Sequence, residues 1–322
     1  MTNKLIIRLS NNLGNQMFMY ASAYSISKEL KKTLYIDNET AFLSKKNVSK
    51  FRLNSFEITS EMAPDNLKFK NLSGYIKRKF LINTETFRKR KMFYIEKKNK
   101  DKITKFSNDY RNINFNNDLF LEGHFESEKY FENYKDEIIN EFKFKNINTL
   151  KKNPYFAEIS KENTVSFCIR QNRFIEGKNQ NTSRNKEKSW KFTLEQINYV
   201  NKAANYIKSK ISNPSFFLWS NDFDNITNDK FNFPYKEVRP NDKRNIIDKR
   251  IQALYLLTHC NHFIVTTSTF NWWGAWLGHK KNKIVLRPSE SFFSSHKINN
   301  KDYWPKSWIK IEEDNKFVKD KK

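Results

Sequence analysis

Apolar residues in this chain fall into short runs separated by stripes of helical spacing, and the alternation occurs twice. Residues 5–9 form a run of strand length, 15–30 carries Met17, Tyr20, Ala21 and Tyr24 on one helical face, and 33–36 returns to a strand. Between 41 and 118 aromatic residues are scattered among lysines, which predicts short helices and loops. A strand and turn follow at 119–125 and a helix at 126–142, before a connection rich in lysine and asparagine at 146–154. The second series predicts strands at 164–169, 216–220, 263–266 and 283–286, with helices at 192–210, 246–260 and 271–277. Strands alternating with helices imply parallel sheets covered on both faces. With no internal repeat, the economical architecture is α/β with two domains facing across a cleft. The first is residues 1–150, carrying a basic helical insertion, and the second is 151–322.

The segment 263–277 carries the strongest chemical signal. Four hydroxyl side chains in a row, Thr266, Thr267, Ser268 and Thr269, separate a strand from a helix that begins at Asn271 and carries Trp272, Trp273 and Trp276. Where a strand feeds a helix N-terminus, hydroxyls and unpaired backbone N–H groups form a receptor for anionic oxygen. One hydroxyl would serve as a helix cap; a run of four points to phosphate. The first loop, from Ser10 to Gln16, offers Gly14 as a flexible position and Asn11, Asn12, Asn15 and Gln16 as uncharged donors, or is a plain capping turn. Asp37 lies at a suggestive distance, but the loop lacks the three glycines of a dinucleotide fingerprint. At the end of the strand 164–169, Arg170 and Arg173 suit phosphate oxygens, or one of them pairs with Glu176. Asp222 ends another strand, where it contacts a nucleoside or caps the next turn. No Ser-His-Asp order, zinc spacing or P-loop is present. A site poor in nucleophiles and rich in phosphate donors suits group transfer from an activated phosphate ester.

Composition narrows the setting. A chain of 322 residues suits two domains, and its 38% hydrophobic and 16% aromatic content, with 29 phenylalanines, is enough for packed cores without disulfides. Cys168 and Cys260 have no metal-site spacing and are expected to remain thiols in a reducing cytoplasm. His259 and His262 straddle a helix-to-strand junction, which favours packing over ligation. The start of the chain, from Met1 to Lys4, runs directly into a strand, and no apolar stretch approaches the ~20 residues that span a bilayer. The formal charge of +25, with basic residues gathered in 68–105 and at the C-terminus, attracts nucleic acid, anionic lipid or phosphorylated small molecules. Because lysine is spread along the whole chain, a solvated face or weak attraction to an anionic membrane is favoured over nucleic-acid binding. A basic nucleic-acid-binding protein stays as the competing class, without a recognisable reading motif.

Three segments in order carry a family resemblance. Leu13-Gly14-Asn15-Gln16-Met17-Phe18-Met19-Tyr20-Ala21, Leu121-Glu122-Gly123-His124-Phe125-Glu126-Ser127-Glu128-Lys129-Tyr130-Phe131 and Ser268-Thr269-Phe270-Asn271-Trp272-Trp273-Gly274-Ala275-Trp276-Leu277 resemble the signatures of glycosyltransferase family 11, the α-1,2-fucosyltransferase family. The resemblance implies a GT-B-like arrangement of two Rossmann-type domains and an inverting, metal-independent transfer that needs no cofactor. Its donor substrate would be GDP-fucose and its acceptor the 2-hydroxyl of a galactoside in O-antigen or lipopolysaccharide synthesis. It implies that Arg170 holds the donor's β-phosphate. Ser268, Thr269 and the Phe270 amide would line the pyrophosphate site, with Gly14, Asn15 and Asn12 closing from the first domain. Arg173 and Asp222 complete the donor set, and Asp222 and Glu176 are the carboxylates to test for catalysis beside Arg170. The family pattern His-x-Arg-Arg-x-Asp is altered here to Cys168, Arg170, Gln171 and Arg173. This opens two alternatives, a different nucleotide-sugar donor or a non-catalytic homologue. The partners expected are the donor and a galactose-containing, lipid-linked glycan. The expected location is cytoplasmic, peripheral on the inner face of the cytoplasmic membrane.

Overall fold

The computed structural model describes residues 3–43, 49–98, 105–176, 181–240, 247–297, 299–313 and 317–318. Met1, Thr2, Ile246, residues 99–104 of the basic stretch and the basic residues at the C-terminus lie outside these. The chain divides into two compact units, Met1–Lys145 with Lys301–Tyr303, and Asn146–Asn300 with Trp304–Lys322.

The first unit contains β1 (Lys4–Arg8), α1 (Leu13–Glu29), β2 (Thr33–Asp37), β3 (Glu61–Met62), α2 (Asn71–Asn83), β4 (Lys91–Ile95), β5 (Phe115–Glu122) and α3 (Lys135–Glu141). Its five strands are parallel in the order β3-β2-β1-β5-β4, so the order reverses between β1 and β5. The one-sided stripe expected for α1 is corrected by the structure: apart from Asn15, every residue from Leu13 to Ser27 is buried. Its positions between the aromatics are mostly Ala and Ser, small enough to pack on any side. Its amide, Gln16, is held at both ends, donating to Asn11 O and Lys50 O at 2.8 Å each and accepting from Arg52 N at 3.0 Å.

Two further expectations change. Within 41–118 a strand, β4, forms despite the surrounding lysines, because Phe93 stacks on Phe69 and Phe120 while the backbone pairs with β5. The expected helix 126–142 is broken into two 3-10 turns before α3. Ser127 accepts from Lys129 N at 3.4 Å to cap the first turn, a local side-chain bond that competes with continuous helix, and its hydroxyl donates to Asp302 O at 2.5 Å. Tyr130 and Phe131 are buried together in the turn that results.

The second unit adds α4 (Ile147–Lys151), α5 (Phe156–Ile159), β6 (Thr164–Ile169), α6 (Ser183–Lys210), β7 (Ser215–Ser220), β8 (Tyr235–Glu237), α7 (Lys249–Thr258), β9 (His262–Ile264), α8 (Thr269–Leu277), β10 (Val285–Pro288), β11 (Ile309–Ile311) and β12 (Phe317–Val318). The sheet order is β12-β11-β10-β9-β6-β7-β8, parallel except for β12 against β11. Counted from β6 as the first strand, this is 3-2-1-4-5-6 with an antiparallel edge strand, the nucleotide-binding doubly wound order. All six residues of β6 are buried, as a central strand covered on both faces requires. α6 starts at Ser183, ahead of the predicted 192, because Thr182 caps it and the polar residues before Phe192 are tolerated on an exposed first turn.

Candidate functional site

In open α/β sheets the crevice beyond the carboxyl ends of the strands, where their order reverses, is the usual ligand site. In the second unit that point lies between β6 and β9. Phe167 stands opposite Ile264 in the parallel register. Counting three residues forward on each strand brings Arg170 level with Thr267. Thr266 Oγ1 donates to Cys168 O at 3.0 Å across this junction, which fixes the two loops side by side. Arg170 and the hydroxyl run, far apart in sequence, therefore leave the sheet together.

The surroundings of Arg170 hold its backbone still. Gln196, fully buried on α6, accepts from Arg170 N at 3.0 Å and donates to Arg170 O at 2.9 Å. The guanidinium pairs with Glu176, which also accepts from Asn221 Nδ2 at 3.2 Å. Arg170 Nε is buried with no hydrogen-bond partner among the described residues. Across the junction, Thr267 Oγ1 is in the same condition. Ser268 is the N-cap residue of α8, yet its side chain makes no cap hydrogen bond. The capping role weighed for it is thus absent from the Ser268 side chain. Thr269 and Phe270 in that turn are half-buried. A cationic fork, two hydroxyls and a helix N-terminus on adjoining loops are groups whose chemistry suits anionic oxygen.

The other expected residues have different surroundings. Asp222 accepts from Asn172 Nδ2 at 2.8 Å and from Asp224 N at 2.9 Å, so its carboxylate shapes the loop after β7. Arg173 lies with its guanidinium 5.4 Å from the Phe192 ring and donates to His296 Nε2 at 3.1 Å. Burial, with Arg173 and Lys188 nearby, pushes the His296 pKa down to about 3. Gln171, where the family pattern has its second arginine, is buried and its amide donates to Asp222 O at 2.7 Å and Asp224 O at 2.5 Å. It is a strut between two loops. Starting at Gln171, a cavity of about 390 Å³ is lined also by Asn172, Ile175, Lys186, Trp190 and Asn225, which offers an aromatic face, amides and one cation to a planar polar group. Trp190 and Gln196 escaped the sequence reading, although Gln196 is a polar residue set in the helical stripe Phe192, Gln196, Val200, Ala203 and Ile207.

The first unit has its own reversal point, between β1 and β5. There Asn11 Nδ2 donates to His124 Nε2 at 2.7 Å and Asn15 Nδ2 to Glu126 Oε1 at 2.8 Å, with His124 Nδ1 3.7 Å from Glu126 Oε1. Asn12, the N-cap residue of α1, is exposed and makes no side-chain cap bond. Gly14 sits inside the helix; the left-handed residue of the loop is Asn11, at φ 62°, which asparagine tolerates. The facing loop is held by Glu96, whose carboxylate accepts from His124 N at 2.7 Å and Phe125 N at 3.1 Å. Phe125 is left-handed there, at φ 52°, a strained shape for an aromatic residue that the two bonds help to enforce. His124, Glu126 and Glu96 also escaped the sequence reading of individual residues.

Among the described residues no three His, Cys, Asp or Glu side chains converge to hold a metal ion. Both cysteines are buried, and burial raises their thiol pKa values. His259 and His262 pack as expected: His259 lies among Tyr255, Phe156 and His279, and His262 Nδ1 accepts from Ile284 N at 3.1 Å. No helix among the described residues is long and apolar enough to cross a membrane.

With this geometry in hand, comparison with known proteins is direct. The sequence profile described as Glycosyl transferase family 11 matches residues 2–312. The chain is similar to the O-antigen biosynthesis glycosyltransferase WbnK of Escherichia coli, with 26% identity over 302 residues, 90% of this chain and 95% of that one. It is likewise similar to an alpha-1,2-colitosyltransferase of Escherichia coli, with 26% identity over 315 residues, 96% of this chain and 99% of the other. Among solved structures, fucosyltransferase NodZ from Bradyrhizobium aligns with 15% identity and a TM-score of 0.47, covering 85% of this chain and 92% of that one.

Proposed function

The chain belongs to glycosyl transferase family 11, and from that premise we propose that it moves fucose from GDP-fucose to the 2-hydroxyl of a galactoside during assembly of a bacterial O-antigen. In the reaction the acceptor oxygen attacks C1 of the donor sugar with inversion, the bond from C1 to the β-phosphate oxygen breaks, and GDP leaves with the electron pair. The acceptor's hydroxyl proton passes to a base. The observation that carries this reading is the junction of β6 and β9, where Arg170 stands beside Thr267 and the uncapped N-terminus of α8. Positive charge and N–H groups held there stabilise the negative charge that grows on the departing diphosphate, without a metal ion. Arg170 takes the β-phosphate, displacing part of its contact with Glu176. Ser268, Thr269 and the Phe270 amide take the remaining oxygens. The cavity beyond Gln171 takes the nucleoside. Asp222 and Glu176 are the carboxylates to test as base; each already accepts hydrogen bonds, which suits a dissociative transition state that asks little of a base. The acceptor is lipid-linked, at the inner face of the cytoplasmic membrane.

The deciding experiment incubates purified protein with GDP-fucose and a panel of galactosides and looks for a gain of one deoxyhexose by mass. A second reading, colitosyl transfer, is favoured by the alpha-1,2-colitosyltransferase relative and by the altered Cys168–Arg173 loop. GDP-fucose and GDP-colitose offered in competition separate the two. Thermal shifts with GDP, UDP, TDP and CMP test the nucleotide. GDP binding without transfer from either donor would leave a non-catalytic homologue. Stabilisation by UDP, TDP or CMP and none by GDP would refute the donor assignment.

A further inference from the structure

α2 turns the usual pattern of a surface helix inside out. Positions 72, 75, 76, 79, 80 and 83 share one helical face, and the residues there are Leu72, Tyr75, Ile76, Lys79, Phe80 and Asn83. That face is the exposed one: Leu72 is 74% accessible, Ile76 58% and Phe80 62%. The inward side is made by Gly74, too close to the Phe69 backbone to carry a side chain, by Leu81 and Ile82 against the Phe93 and Phe120 cluster, and by Arg78 paired with Glu122. Phe87, in the next turn, is 88% accessible. No other part of the described chain concentrates large exposed apolar side chains in this way.

Charge identifies the occupant. From Asn71 to Lys91 the sequence holds seven basic residues (Lys77, Arg78, Lys79, Arg88, Lys89, Arg90 and Lys91) and one acid, Glu85. Glu85 is turned inward: its carboxylate accepts from Phe93 N at 3.0 Å and pairs with Arg88. Lys77, Lys79, Lys89 and Arg90 are exposed, so within residues 71–91 the apolar stripe is flanked by cations and no exposed carboxylate; the nearest acids toward the helix start, Glu39 and Asp65, pair with Lys70. A second copy of the same face would set these cations against their own kind. An anionic bilayer pairs with them and also receives the apolar stripe, the recipe of a helix that lies in the headgroup boundary.

We propose that α2 and the turn after it are a docking element for anionic phospholipid, with Leu72, Ile76 and Phe80 entering the interface and Lys77, Lys79, Lys89 and Arg90 meeting headgroups. This deepens the reading of a lipid-linked acceptor and is independent of the donor. The test is co-sedimentation of the full chain with vesicles of phosphatidylglycerol and phosphatidylethanolamine, or of phosphatidylcholine, in the absence of donor and acceptor. The wild type should partition onto the anionic vesicles and be released by salt. The triple variant Leu72→Ser/Ile76→Ser/Phe80→Ser should lower that partition by at least about tenfold. Lys77→Glu/Lys79→Glu/Lys89→Glu should abolish the preference for anionic lipid. All six side chains are exposed, so both variants should keep the wild-type Tm. Leu194→Ser, at an exposed apolar site of the second unit, should change nothing. Equal partition onto phosphatidylcholine, equal binding by the triple variant, or a dimer that the triple variant dissolves would each overturn the proposal. Transfer to a soluble galactoside should survive the triple variant, which separates failure of docking from failure of the proposed activity.

Discussion

The two units put polar loops at the same topological place and equip them differently. Where strand order reverses in the first unit, the side chains are the neutral amides Asn11 and Asn15 bonded to His124 and Glu126, on backbone bent into left-handed shapes at Asn11 and Phe125. Where it reverses in the second, there is an arginine whose backbone is locked by Gln196 and whose guanidinium pairs with Glu176, a buried hydroxyl at Thr267 and a helix N-terminus without a side-chain cap. One is built on amides that face a histidine and a carboxylate, the other on an arginine, hydroxyls and a helix N-terminus. The sheet supplies the position; the loop residues decide what can be held there.

The contrast breaks first at Arg170. Arg170→Ala should cut turnover by about 10²–10³-fold with the Tm nearly unchanged, the scale of removing one transition-state donor. Asn15→Ala in the first unit removes a neutral amide and should cost less than about 10-fold. If kinetics of the two variants show similar losses, charge is not what distinguishes the units.

Acid should reveal the next difference. In the second unit burial depresses the pKa values of His259, His262, His279 and His296, with His259 lowered to about 4 and His296 to about 3. A histidine depressed by folding contributes stability that is complete above its ordinary value of 6.5 and is lost as pH falls through its folded value. At roughly 1.4 kcal/mol per unit of depression, His259 alone accounts for up to about 3 kcal/mol across that window. Denaturant melts between pH 7 and 4 should show the second unit unfolding first, and His259→Phe, which stays in the aromatic stack, should flatten its acid limb. An acid limb unchanged in the variant would remove His259 from the account.

These effects also show what could be read from sequence. The central strands β1, β2, β6 and β7 were legible because buried parallel strands are unbroken apolar runs. β4, β8 and β11 were hidden, since short strands toward the sheet edges carry lysine and tyrosine and take their identity from a neighbour's backbone. Arg170 and the hydroxyl run could be proposed separately; that their loops leave the sheet side by side is set by the pairing of β6 with β9, which no local pattern encodes. Glu96 was invisible for the same reason, because its ligands are two N–H groups in a distant loop.

Packing beneath the anion site gives a smaller test. An alanine Cβ at Gly274 would lie 2.1 Å from Leu257 Cδ2, and Leu257 is fully buried on α7. Gly274→Ala should therefore lower stability by about 1–3 kcal/mol despite the better helix propensity of alanine. Calorimetry should place the loss in the second unit, while a change below that range would mean that α7 and α8 can separate at little cost.

The finest discrimination lies between helix N-termini. Thr182 and Asp248 accept from Asn185 N at 3.3 Å and Arg250 N at 2.8 Å, ordinary caps, whereas Ser268 makes no such bond. Asp248→Ala should cost about 1 kcal/mol of stability and leave GDP affinity alone. Ser268→Ala should do the reverse, with a Tm within a degree of wild type and GDP affinity lowered by about 10-fold, the weight of one hydrogen bond to a charged group. Should Ser268→Ala destabilise the fold as Asp248→Ala does, the hydroxyl is a cap after all. Thr267 and Ser268 would then lose their claim to serve an anion, and with it the contrast with the first unit would go.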